Sequence, residues 1–95
     1  MNIRDFQKMI GEIYYTRDKE RGSLKTMLWL VEEVGELAEA IRKDDVEKIK
    51  EEMADVLAWL VSLANLYSID LESEALKKYP NYCTKCGKKP CRCDL

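Results

Sequence analysis

The two prolines of this chain, Pro80 and Pro90, both lie near its end, so nothing in residues 1–79 breaks a helix outright. That stretch reads as helix, with its turns set by other residues. Ile3, Phe6, Ile10, Ile13 and Tyr14 recur at helical spacing and predict a first helix from about Asn2 to about Thr16. Gly22 and Ser23 supply a stop and an N-cap, so a second helix is expected from about Leu24 to about Lys43. Asp44 or Asp45 caps a third helix running to about Tyr67. Ser68-Ile69-Asp70 opens a short fourth that ends before Pro80. Short connections make neighbours antiparallel, so the expected fold is an all-α antiparallel bundle of about four helices over residues 1–79. A cysteine-rich tail follows over residues 80–95.

At 95 residues and 46% apolar content, the chain has the make-up of one folded domain. A domain this short buries a modest fraction of its surface. Helices with wide apolar stripes then gain stability by packing on a second copy, so a homodimer or homotetramer is expected. Sixteen basic and 18 acidic residues give a net charge of −2, which offers no general attraction for a polyanion and disfavours nucleic acid as a partner. Met1 to Ile10 alternates polar and apolar residues, unlike a signal peptide, and no stretch approaches the roughly 20 apolar residues of a membrane span. The expected location is the cytoplasm, where thiols stay reduced.

Leu30, Val34, Leu37 and Ile41 form one stripe on the second helix, and Ile49, Met53, Val56, Leu60 and Tyr67 form one on the third. These stripes are the expected core. Measured from the stripe centre, Glu33 and Glu36 sit at roughly −75° and −135°, and Glu52 and Asp55 at roughly −65° and −125°. The two pairs occupy equivalent flanks. Positions 36 and 52 are also equidistant from position 44, as are 33 and 55, so an antiparallel hairpin turning there sets the four carboxylates on two adjacent levels. Whether the flanks face each other or diverge depends on the packing.

A cluster of like charges is repulsive unless a cation sits among it. Oxygen ligands in a chain without histidine suit a hard ion, Mg²⁺ or Mn²⁺, rather than zinc, and argue against a di-iron bundle. Mg²⁺ is commonly shared with substrate phosphates, so the ion implies a phosphorylated ligand. The alternative is a solvated acidic face. Ordinary surface acids here have basic neighbours at ion-pair spacing, as Glu39 has Arg42 and Lys43; Glu33, Glu36 and Asp55 have none, and Glu52 has only Lys48.

Glu32-Glu33-Val34-Gly35-Glu36, followed by Glu52-Met53-Ala54-Asp55, resembles the MazG-type all-α nucleotide pyrophosphohydrolases, whose signature is Glu-Glu-x-x-Glu and, after a spacer, Glu-x-x-Asp. The resemblance extends from about Phe6 through Arg21-Gly22 to about Lys78. It implies that Glu33, Glu36, Glu52 and Asp55 hold Mg²⁺, with Glu32 as a supporting carboxylate or further ligand. It also implies the reaction, cleavage of a nucleoside triphosphate between its α and β phosphates, and a house-cleaning role against non-canonical nucleotides. The residues agree with such chemistry: a metal positions water against phosphorus and one Glu takes its proton, either Glu33 or Glu32. Glu32 lies roughly 175° from the core stripe, so it joins the site only if a partner helix covers that face.

Trp29 and Trp59 lie one turn beyond Glu33 and Asp55 on the same flanks; they frame a nucleobase or serve as core or interface aromatics. Lys48 contacts phosphate or forms a solvated helical ion pair. Beyond the resemblance, Cys83, Cys86, Cys91 and Cys93 read as a four-thiolate structural Zn²⁺ site in a knuckle-like tail, with disulfides, a redox Cys-x-x-Cys or an iron-sulfur cluster as alternatives. Two functions of different kind follow: a Mg²⁺-dependent nucleoside triphosphate pyrophosphohydrolase, or a non-catalytic helical interaction module whose zinc knuckle binds a partner.

Overall fold

The computed structural model describes residues 1–94, in four α-helices: α1 (Ile3–Arg21), α2 (Ser23–Arg42), α3 (Val46–Leu66) and α4 (Leu71–Lys78). Three N-termini carry a side-chain cap, each accepting from a backbone N–H three residues on: Asn2 from Asp5, Asp45 from Lys48 and Asp70 from Ser73. The junction of α1 and α2 departs from expectation. α1 runs five residues past Thr16, because Arg17, Lys19, Glu20 and Arg21 are good helix formers and Asp18 pairs with Arg21 across one turn at 2.7 Å. Gly22 alone stops it, at φ +87°. Ser23 is not the N-cap; it is the first residue of α2, and Gly22 precedes it with no side-chain cap bond.

α2 and α3 form an antiparallel hairpin across a turn in which Asp44 adopts φ +54°. α1 lies chiefly against α3, and α4 folds back onto α1. The buried Gln7 joins these parts: its amide donates to Asn65 Oδ1 at 3.0 Å and Ile69 O at 2.7 Å, and it accepts from Leu71 N at 3.2 Å. Arg4 adds a clasp on Asp70 and Glu72 at the surface.

The expected core stripes are only partly buried. Leu30 is buried and Leu37, Ile49 and Val56 are half-buried, but Val34, Ile41, Met53, Leu60 and Tyr67 are exposed. The seam between α2 and α3 instead follows Thr26, Leu30, Glu33, Leu37 and Ala40 on one helix and Ile49, Glu52, Val56, Trp59 and Leu63 on the other. Both sets keep the helical alternation of three and four, so a seam rotated toward the acids fits the sequence equally well. Each helix carries more apolar surface than one neighbour can cover, and the excess faces outward. No single helix is long and apolar enough to cross a membrane.

Candidate functional site

The rotated seam turns Glu33 and Glu52 inward and leaves Glu36 and Glu51 at its exposed edge. One carboxylate oxygen from each of Glu33, Glu36 and Glu52 lies within 4.8 Å of the others, and Glu51, Glu52 and Asp55 form a second such triad. Glu52 belongs to both and is 2% exposed, a position where a carboxylate is costly unless partnered. Lys48 Nζ approaches Glu52 Oε1 at 3.3 Å and Glu51 at 3.7 Å. The second oxygens are left over: Oε2 of Glu33 and Oε2 of Glu52 are both buried without a hydrogen-bond partner among the described residues.

Burial, then Glu52, Glu36 and Asp55 beside it, pushes the Glu33 carboxyl up to about 7. Burial pushes Glu52 up as well, but hydrogen bonding with Glu33 and Lys48 outweighs it and holds Glu52 below the ordinary carboxylate range. The cluster therefore keeps a proton on Glu33 near neutrality. A cation would replace that proton. Two oxygens on one Mg²⁺-sized ion are spaced ~2.9–4.2 Å apart, given ligand distances of about 2.0–2.1 Å, so carboxylates already this close suit a hard divalent ion with little movement.

Beside the acids, Trp29 and Trp59 meet edge to face with ring centroids 5.3 Å apart. The Arg21 guanidinium carbon lies 4.8 Å from both centroids and its Nη1 donates to Asp18 Oδ1 at 2.7 Å. Tyr14, Asp18, Arg21, Trp29, Asp55 and Trp59 line a cavity of about 330 Å³ there. Asp55 stands in both the cavity wall and the second acidic triad, so the aromatic cleft opens onto the acids.

In the tail, Sγ atoms of Cys83, Cys86, Cys91 and Cys93 all lie within 4.8 Å of one another, and Cys83 and Cys93 are 3.6 Å apart. The edge of a tetrahedron of sulfurs at about 2.3 Å from a zinc ion is ~3.8 Å. Gly87 at φ +71° lets the chain fold back so that Gly87 N donates to Cys83 O at 2.8 Å. Backbone N–H groups of Cys86 and Lys85 hold the Cys83 thiol down at about 6, and those of Arg92 and Lys88 lower Cys86. The sulfurs of Cys91, Cys83 and Cys86 beside it push the Cys93 thiol up to about 11, so a metal gathering all four sulfurs would have to displace that proton.

Of the residues singled out from sequence, Glu33, Glu36 and Glu52 are brought together, Asp55 joins Glu52 from the other side, and the two tryptophans meet. Glu32 is exposed and stands in neither triad. Sequence reading gave no role to Glu51, which sits beside Glu52 in the motif, nor to Asp18 and Arg21, which lie beyond the expected end of the first helix.

The family described as the MazG nucleotide pyrophosphohydrolase domain matches residues 21–86, a stretch holding both acidic motifs, both tryptophans and the first two cysteines. The match starts later than the motifs suggest, at Arg21 rather than Phe6, and extends past Lys78 to Cys86. The uncharacterized protein YvdC of Bacillus subtilis (strain 168) is 29% identical to this chain, over 90% of it and 95% of its own length.

Proposed function

The chain belongs to the MazG nucleotide pyrophosphohydrolase family, and on that premise we propose that it is a Mg²⁺-dependent hydrolase cutting nucleoside triphosphates into monophosphate and pyrophosphate. The observation that carries this reading is the pair of buried, unpartnered oxygens on Glu33 and Glu52 inside a cluster of carboxylates. Glu36, Glu52 and Asp55 would hold the ion together with Glu33, and Mn²⁺ would serve in place of Mg²⁺. When bound, the ion supplies charge neutralisation at the phosphates and lowers the cost of deprotonating water.

The protein's own residues account for the rest. Glu33, set among the acids at the seam, is better supported than Glu32 as acceptor of the water's proton, because Glu32 points to solvent within this chain. Lys48 keeps Glu52 ionised and carries positive charge at the phosphate end of the site. The Trp29 and Trp59 faces orient the nucleoside, and the seam keeps bulk water from the buried carboxylates. A second copy of the chain would cover the exposed apolar flank of α2 and α3. A structural Zn²⁺ on Cys83, Cys86, Cys91 and Cys93 would close the tail, which has little apolar material to fold around.

Incubation with Mg²⁺ and a panel of canonical and modified nucleoside triphosphates, with assay of pyrophosphate against orthophosphate, tests the reaction. Pyrophosphate release is expected, and Glu36→Gln or Asp55→Asn should lower it at least ~100-fold with helical content intact, since even outer-shell changes at metal sites cost 10–100-fold. Absence of turnover across the panel would favour the interaction module, and undiminished turnover in both variants would remove the metal assignment.

A further inference from the structure

Asp18 is the one buried carboxylate of α1, and the reaction above leaves it unused. It is 2% exposed, its Oδ1 is held by Arg21, and its Oδ2 is buried with no hydrogen-bond partner among the described residues. A buried carboxylate oxygen without a donor costs free energy that a ligand donor would recover. Asp18 also lines the cavity that holds both tryptophans.

The group now seated against the two indoles describes what would fit there. The Arg21 guanidinium is planar, lies 4.8 Å from both indole centroids, and gives an N–H to Asp18. Any planar group in its place meets the same two rings and the same carboxylate. Arg21 is the last residue of α1 and Gly22 follows it, so its side chain can swing outward without unwinding the body of the helix.

Among nucleobases, guanine carries a guanidine-like edge: a ring N–H beside an exocyclic amino group, two parallel donors matched to the two oxygens of a carboxylate. Adenine and cytosine set a ring acceptor beside their amino group. Uracil flanks its one N–H with two carbonyls. Each of these places a lone pair against the Asp18 carboxylate, and a buried site of this kind rejects such ligands strongly.

We propose that Arg21 is an internal place-holder for the nucleobase, and that Asp18 selects guanine-type bases by accepting their two adjacent N–H groups. The base takes the guanidinium's place against the edge-to-face pair of Trp29 and Trp59, Oδ2 of Asp18 gains its missing donor, and the displaced guanidinium meets the ligand's phosphate. This rests on the nucleotide reading above and narrows it to a substrate class.

The chain has two tryptophans, Trp29 and Trp59, so fluorescence excited selectively at tryptophan, past the absorption of the five tyrosines, reports on this cleft. Titration of the full chain in Mg²⁺ buffer with GMP, IMP, AMP, CMP and UMP measures the base preference without turnover. GMP should bind at least ~10-fold more tightly than AMP, with IMP, which lacks the amino group, between them, since a hydrogen bond to a charged group is worth about 1.5–3 kcal/mol. Asp18→Asn replaces one acceptor by a donor and should bring GMP within about threefold of AMP. Equal affinities in the unmodified protein overturn the proposal, as does an undiminished preference for GMP in an Asp18→Asn protein of normal helical content. Pyrophosphate assays run in parallel separate the two readings. Guanine preference without hydrolysis of any triphosphate strikes the reaction and leaves the base site, whereas hydrolysis indifferent to base does the reverse.

Discussion

Glu33 is half-buried at a position where the helical pattern puts a seam residue, with Glu36, Glu52 and Asp55 close enough to act on its proton. Its pKa of about 7 against an ordinary 4.5 has two consequences of opposite use. A carboxyl that binds its proton more tightly when folded favours the metal-free fold fully below about pH 4.5, and that contribution is lost as pH rises through about 7. Metal-free protein should therefore show a falling Tm over that interval, as far as this group decides it. A cation must displace the same proton, so Mg²⁺ affinity should weaken as pH drops below about 7, and saturating Mg²⁺ should flatten the fall in Tm. Calorimetric titration of Mg²⁺ at several pH values and melting curves with and without the ion check both. Affinity independent of pH between 5 and 8 would place the binding proton elsewhere. Residue identities made the acids conspicuous in the sequence, because Glu33, Glu36 and Asp55 lack basic neighbours at ion-pair spacing; the burial of Glu33 and Glu52 was not legible, since it depends on which flank the seam takes.

The elements show where sequence reading held and where it ran out. The starts of α3 and α4 were legible to within a residue or two, at Asp44 or Asp45 and at Ser68-Ile69-Asp70, because a short acceptor before an apolar-periodic run has one good use; Asp45 and Asp70 are the caps. The end of α1 was not, because residues 17–21 are charged and polar and carry no apolar period; a stop was expected where only the pattern, not the helix, ended. That misplaced boundary hid Asp18 and Arg21. Gly22 is the true stop, at φ +87° and ψ 161°, a region open essentially to glycine. Although nothing lies within 4 Å of a Cβ built there, Gly22→Ala should cost about 1–3 kcal/mol from backbone strain alone, seen as a lower midpoint in urea with an unchanged slope. No loss of stability would mean that the α1–α2 junction relaxes freely. The tail is a separate element with a separate test. Metal analysis of protein purified without added zinc should find one Zn²⁺ per chain, and Cys83→Ser should abolish it while leaving α1 to α4 helical; four accessible thiols and no bound metal would remove the zinc assignment.

Taken whole, the chain is more open than its size requires. It exposes 7425 Å², whereas a compact monomer of its mass would expose roughly 5,700 Å². Its Cα radius of gyration is 15.7 Å, against roughly 12.4 Å for a compact domain of this length. Part of the excess is a continuous apolar flank: Val31, Val34 and Ile41 on α2 and Met53, Leu57 and Leu60 on α3 are all between 37% and 54% exposed. In an antiparallel hairpin, residues offset in the same rotational sense from the seam fall on the same side, so these side chains share one face, opposite the acids. The sequence pattern had assigned Val34, Ile41, Met53 and Leu60 to the core of one chain; periodicity marks a face as apolar without saying whose helix covers it. Covering half of an excess of roughly 1,700 Å² on each of two chains would already bury about 1,700 Å², the size of a standard stable interface. Sedimentation or light scattering at tens of micromolar should therefore give a multiple of the 11.1 kDa chain mass. Val34→Glu sets a charge in the middle of that face and should shift the mass toward one chain, with a Tm lowered by several degrees because folding and association are linked. An unmodified protein that sediments as one chain would mean that the flank is left bare in solution, and an unaltered assembly in Val34→Glu would move the interface to another surface.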